Sequence, residues 1–160
     1  VKRTFHMNDE QFQSFENLKT ALCKAAVLYT PDYTKEFVIH CDASAYAVGC
    51  SLSQFDDDTG ALRPIAFGSQ KLDKTKQAYA VIEREAYSLI FALKLFSWII
   101  HGSRILVYSD HDPLQYITKS APVSAKLMRW SIALQQFELR VLHVAGRNNP
   151  VADMLSRIGQ

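Results

Sequence analysis

Cysteine is scarce in this 160-residue chain, net charge is only +2, and no apolar run is long enough to cross a bilayer. Cys23, Cys41 and Cys50 are an odd count without CxxC spacing. That excludes a disulfide framework and the common zinc arrangements, and suits small apolar core residues in a reducing compartment. With so small a net charge, any nucleic-acid partner must be held by local basic patches and not by a global field. The most apolar run, Ser88 to Ile100, is interrupted by Lys94 and is too short for a membrane span. The opening VKRTFHMNDE has no apolar signal core. The expectation is an intracellular, soluble chain with no membrane partner. Repeats and low-complexity tracts are missing as well, and 48% hydrophobic with 21% charged residues excludes disorder or a fibre. A start at Val1 is expected of a fragment or processed piece of something longer.

What is present reads as one core, the usual arrangement at this length. Residues Asn8 to Leu22 suit a helix: Asn8 can cap it, Gln11 completes a capping box, and Phe12, Phe15, Leu18 and Leu22 recur at helical spacing. Pro31 and Asp32 signal a turn. Three strands follow, Phe37 to Cys41, Ala45 to Gln54 and Leu62 to Gln70, joined by short connections as an antiparallel meander. Lys74 to Ile100 predicts one long helix with Tyr79, Ile82, Ala86, Leu89, Leu93, Phe96 and Ile100 as its apolar stripe, ended by Gly102. Arg104 to Ser109 reads as a fourth strand, Pro113 to Lys119 and Ala125 to Gln136 as helices, and Glu138 to Val144 as a fifth strand. A final helix starts at Pro150, a residue favoured in a first helical turn. The order βββαβααβα implies an α/β fold with one mixed sheet and helices on its faces.

Acids fall where strands end. Asp42 closes the first strand and Asp110 the fourth, and strands entering one sheet from the same direction would bring both to one edge. Two carboxylates near a core repel, so such a pair calls for a multivalent cation. Glu85 and Glu83 flank opposite borders of the long helix's stripe, and helical angle does not choose between them. Asp153 opens the last helix, where the unpaired amides favour a carboxylate whatever else it does. A donor set of acids alone suits Mg²⁺ or Mn²⁺ over zinc. Mg²⁺ completes its octahedron with water and phosphate oxygen, which points toward phosphodiester chemistry.

Four blocks in order then resemble the ribonuclease H domain of reverse transcriptases, in particular the gypsy-type LTR retrotransposon branch: CDASAYAVGCSLSQ; RPIAFGSQKLDKTKQAYAVIEREAYSLIFAL; YSDHDPLQYI; and AKLMRWSIALQQFELRVLHVAGRNNPVADMLSR. The resemblance implies a ribonuclease H-like fold, a five-stranded mixed sheet in the order 3-2-1-4-5 with strand 2 antiparallel, flanked by helices and preceded by a helical connection segment. It divides the chain into residues 1–34, a connection segment from the reverse transcriptase side, and 35–160, the ribonuclease H domain. It implies hydrolysis of the RNA strand of RNA/DNA hybrids with two Mg²⁺ ions, Mn²⁺ substituting. The ligands and catalytic acids it implies are Asp42, Glu85 (the second glutamate of EREA), Asp110 and Asp153. Asp42 would bridge both ions, Glu85 and Asp110 would hold the one at the leaving oxygen, and Asp153 would help hold the one that activates water. Implied partners are the hybrid and the polymerase and connection domains of the same polyprotein. The implied location is the cytoplasm, within a virus-like particle, with the nucleus as the alternative.

The chain departs from many ribonucleases H in two places. The loop in HVAGRNNPVAD is short, with His143 still in the strand, so His143 is assigned no role in product release; and the apolar SWIIHGSR stands where other enzymes carry a basic grip. Candidate substrate contacts are His111, as part of the DH motif, Arg147, whose loop precedes Asp153, and Lys71 and Lys74. Lys76, Lys126, Arg129 and Arg157 stand beside them, all with a solvated surface as the plain alternative. Trp98 and Trp130 could stack on bases, but their apolar spacing favours core or interdomain packing, and Asn149 and Ser156 are expected to hold the loop and helix that carry Asp153. The rival function is a non-catalytic tether or host-captured interaction module on the same fold. An integrase-like core is disfavoured because its glutamate follows the second aspartate, whereas Glu85 precedes Asp110.

Overall fold

The computed structural model describes residues 8–25, 28–109, 116–117, 124–143 and 150–157. Helix α1 (Asp9–Ala25) opens with the expected reciprocal cap. Gln11 N donates to Asn8 Oδ1 at 2.8 Å and Asn8 N to Gln11 Oε1 at 3.1 Å. Phe12 and Phe15 stand exposed, so this part of the stripe is not turned into a core, and the side chains of Leu18 and Leu22 lie outside the described residues.

Strands β1 (Phe37–Ala43), β2 (Ala47–Phe55), β3 (Leu62–Lys71), β4 (Arg104–Ser109) and β5 (Glu138–His143) form one five-stranded sheet in the order β3-β2-β1-β4-β5. β2 is antiparallel to β1 and β3, while β1–β4 and β4–β5 are parallel. This is the expected topology. Because side chains alternate across a strand, β1 has two jobs. Phe37, Ile39 and Cys41 enter the main core with Cys50, Leu52, Ile105 and Val107. Val38, His40 and Asp42 point to the other face, where the His40 and Tyr108 rings stack at 4.8 Å between centroids.

The long helix of the sequence reading is two helices, α2 (Lys74–Gln77) and α3 (Val81–Ile100). Asp73 caps α2 by accepting from Lys76 N at 2.9 Å. Arg84 Nη1 then takes up the carbonyls released at the break, Gln77 O at 3.1 Å and Tyr79 O at 2.6 Å. Tyr79 leaves the helix to pack on Trp130, with Lys126 Nζ 3.7 Å above its ring. Tertiary contacts thus override an uninterrupted apolar period. From Ala86 to Ile100 the stripe is buried as expected, across β1 and β2, but Ile82 is exposed. Gly102, with φ of 72°, turns the chain after α3 into β4.

Helix α4 (Ala125–Leu134) adds Leu127 and Leu134 to the same core, and α5 (Pro150–Arg157) lies on the opposite face against β1, β2 and β3. The helix expected over Pro113 to Lys119 lies outside the described residues except Tyr116 and Ile117, which are helical. β2 explains how α5 comes so close: toward α5 it presents Ala47, Gly49, Ser51 and Ser53, and toward α3 the larger Cys50 and Leu52. A Cβ on Gly49 would stand 2.5 Å from both Ala152 O and Ser156 N, so only glycine allows this seat.

At the other end of the sheet, residues 28–35 are stitched to the β2–β3 hairpin. Tyr29 N donates to Pro64 O at 2.8 Å, and the Gln54 carboxamide pairs with both backbone groups of Asp32, at 2.9 and 2.7 Å. Buried Asp56 accepts from Thr59 N and Oγ1, each at 2.8 Å, and is ion-paired with Arg63. The Thr59 hydrogen bonds, then Arg63, hold the Asp56 carboxyl below its ordinary value.

Two outcomes test this packing. Gly49→Ala is expected to cost about 1–3 kcal/mol through overpacking, read as a fall in melting temperature, because backbone atoms of α5 must move. The unfolded chain takes up the Asp56 proton before the folded one does, so its stabilisation is present above pH 3.8 and is lost as pH falls through the lower folded value. Asp56→Asn should therefore lower stability at pH 7 and flatten its decline on acidification below pH 3.8, measured by denaturant unfolding at each pH.

Candidate active site at the end of strand β1

Asp42 sits one residue before the end of β1, directly across from Gly49 of β2. The position that must be glycine to admit α5 is thus the strand partner of the first expected acid. α5 brings two groups over it. Ser156, fully buried, donates from Oγ to Asp42 Oδ2 at 2.7 Å, and the same oxygen is 2.8 Å from Asp153 O one helical turn back. The helix is tied down by two further serines: Ser44 Oγ donates to Ser156 O at 2.6 Å, and Ser69 Oγ to Leu155 O at 2.7 Å. Ser44 itself is fixed by accepting from Tyr46 N and Ala47 N at 3.1 and 3.0 Å.

Asp153 is on this helix's first turn, as expected, and its Oδ1 accepts from Arg157 Nε at 2.7 Å. Hydrogen bonding and attraction from Asp153, and weaker attraction from Asp42, raise the Arg157 pKa. Asp42, Asp153, Ser156 and Arg157 therefore share one electrostatic neighbourhood. The Asp153–Arg157 pair is solvent-exposed, and pairs of that kind are weak and screened by salt.

The two glutamates that periodicity left open have different settings. Glu83 is occupied at the start of α3, accepting from Ala80 N at 3.3 Å and from Lys126 Nζ at 2.8 Å. Glu85 is 5% exposed, an acid buried on the helix packed against β1 and β2. Asp110, His111 and Arg147 lie outside the described residues, as does Asn149. Among the described residues no three His, Cys, Asp or Glu side chains group closely enough to hold a metal ion. A set complete in the way the resemblance implies needs Asp110, which follows the last residue of β4 in sequence. The described donors are nonetheless of the right kind for Mg²⁺, being carboxylate oxygens, and the Ser156 group that donates to Asp42 Oδ2 is a neutral hydroxyl.

Of the expected substrate contacts, Lys71 ends β3 opposite Ala47 and Lys74 begins α2, both exposed and both toward the sheet end that carries Asp42. Lys76 is ion-paired with Asp73, and Lys126 with Glu83. Trp130 packs beside Tyr79 and Tyr87, while Trp98, expected in core or interdomain packing, is 79% exposed and so stands outside the core. Its place on the solvent side of α3 could be read only once the register of that helix was set. What the sequence reading missed is the direct contact of Ser156 with Asp42. The i, i+3 spacing from Asp153 placed Ser156 one turn along the same helix, but nothing local announces a partner 114 residues away. Among the described residues no helix is long and apolar enough to cross a membrane.

The chain is similar to the retrovirus-related Pol polyprotein from transposon opus of Drosophila melanogaster, 39% identical over 153 residues that cover 95% of this chain and 15% of that protein. It is similar also to the Pol polyprotein from transposon gypsy of the same fly, 35% identical over 152 residues, covering 94% and 14%. It thus spans about a seventh of these relatives. Among solved structures, the foamy viral protease-reverse transcriptase in complex with RNA/DNA hybrid superimposes with a TM-score of 0.63 at 19% identity, covering 87% of this chain and 19% of that one, a likeness of fold. A family profile described as an RNase H-like domain found in reverse transcriptase matches residues 32–137. With that match over most of its length, on a sheet of the expected order, the chain belongs to the RNase H-like domains of reverse transcriptases.

Proposed function

We propose that this chain hydrolyses the RNA strand of RNA/DNA hybrids as the ribonuclease H domain of a retrotransposon polyprotein. The observation that carries the reading is the meeting of β1 and α5 at Asp42. Two acids far apart in sequence, Asp42 and Asp153, come to one end of the sheet, where the Ser156 hydroxyl meets the Asp42 carboxylate and the main-chain carbonyl of Asp153. Family membership and the hybrid named for the foamy viral structure support the choice of substrate.

In this reading Asp42, Glu85, Asp110 and Asp153 hold two Mg²⁺ ions, or Mn²⁺ in their place. Bound there, the ions supply charge stabilisation at the scissile phosphate and a water of lowered pKa. The chain's own part is to hold the acids. β1 fixes Asp42 in register, α3 brings Glu85 from the core side, and α5 brings Asp153 from the other. Lys71 and Lys74 meet strand phosphates, with His111 and Arg147 as further contacts, each adding salt-sensitive affinity. Residues 1–34 connect the domain to the polymerase side of the polyprotein, and the setting is a cytoplasmic virus-like particle or the nucleus.

One observation favours the alternative, a non-catalytic tether: Asp153 already has Arg157 as a counter-ion. The pair is exposed, so a divalent ion competes for Asp153 without breaking a buried contact.

The functional outcomes are direct. With labelled RNA/DNA hybrid, single-stranded RNA and duplex DNA, Mg²⁺ or Mn²⁺ should support cleavage of the hybrid's RNA strand alone, and chelator should abolish it. No cleavage under any of these conditions, with partner binding intact, selects the tether. Asp42→Asn should lower the hybrid cleavage rate by more than the ~10–100-fold typical of losing a partner that supports a metal ligand. Its circular dichroism should stay unchanged, and retained cleavage would contradict the assignment.

A further inference from the structure

We propose that Ser156 is a positioning residue for Asp42: its buried hydroxyl sets the orientation of that carboxylate and couples it to the seating of α5. The inference rests on the functional reading above and adds a residue to it. Three observations combine. Ser156 is 0% exposed, so no water competes for its hydroxyl. The hydroxyl has one proton and two acceptors in reach, Asp42 Oδ2 at 2.7 Å and Asp153 O at 2.8 Å, and the charged acceptor makes the stronger bond. Donation to Asp42 therefore dominates, and holding one oxygen fixes the plane of the carboxylate and the direction of the other.

The second half of the coupling is the main chain of Ser156. Its carbonyl accepts from Ser44 Oγ at 2.6 Å, and its amide lies where a Cβ on Gly49 would collide at 2.5 Å. Ser44, Gly49 and Ser156 thus form a clasp around Asp42, one residue from the β1–β2 turn, one from β2 and one from the helix that carries Asp153. A helix docked through Leu155 and Ser44 alone would still bring Asp153 to the sheet. The Ser156 hydroxyl is the part of the clasp that reaches the acid itself, so removing it should disturb Asp42 more than it disturbs the fold.

The test uses the full chain with Ser156→Ala, Ser156→Cys and Ser44→Ala, each read by melting temperature, by calorimetric Mg²⁺ binding and by hybrid cleavage. Ser156→Ala should melt close to wild type, lower kcat about tenfold with KM for hybrid within about twofold, and weaken Mg²⁺ binding several-fold. Ser156→Cys, keeping a weaker donor, should fall between, and it is the variant to read if loss of the hydroxyl unfolds the chain. Ser44→Ala loosens the same helix without removing the donor to Asp42, and should lower the melting temperature more, and weaken Mg²⁺ binding less, than Ser156→Ala does. Wild-type Mg²⁺ affinity and kcat in Ser156→Ala, or the same losses in Ser44→Ala, would overturn the proposal while leaving the nuclease reading intact. A wild-type chain that neither binds Mg²⁺ nor cleaves hybrid would overturn both.

Discussion

The rest of the structure depends on the contact between Gly49 and the backbone of α5. Helices normally sit on sheets through side chains, and here one turn of α5 rests on bare main chain, with no room for a methyl group. The pairing of Gly49 with Asp42 places that contact beside the acid at the end of the central strand. From it follow the reach of Ser156 to Asp42, the burial of Ala152 and Ser156, and the arrival of Asp153 on the same end of the sheet.

β1 serves both faces because its side chains alternate. Cys41 enters the core under α3, and the next residue, Asp42, turns toward α5. Glu85 is buried on α3, whose stripe is anchored by Ala86, Leu89 and Leu93. In the proposed site Asp42 and Asp153 come from one layer of the fold and Glu85 from the other, each on an element whose apolar side is locked in place. Such support from rigid elements is what a site for small hard cations requires. The polar clasp of Gln54, Asp56 and Arg63 lies at the opposite end, where it ties residues 28–35 to the hairpin without touching the acids.

Local patterns carried much of this. β4 was read at its observed bounds, Asn8 and Gln11 announced the α1 cap, and Pro150 announced the start of α5. The α2–α3 break was not legible, because an apolar period continues through Tyr79 and Ile82 and the forces that end it come from Trp130, Lys126 and Arg84. The choice between Glu83 and Glu85 was open for a similar reason: both flank the stripe, and only packing shows that Glu83 is drawn to Ala80 N and Lys126. Gly49 was visible as a glycine inside a strand, but its purpose involves a helix about a hundred residues later. Contacts at that distance, such as Ser156 to Asp42, are properties of the assembled layers.

The central claim is that these carboxylates form one cation-holding centre around Asp42. Anomalous diffraction from crystals of the chain grown with Mn²⁺ and hybrid tests it most directly. The account predicts metal peaks bonded to Asp42, with Glu85, Asp110 and Asp153 around them and Arg157 drawn away from Asp153. Crystals with hybrid bound but no peak at Asp42, and with Arg157 still seated on Asp153, would contradict it.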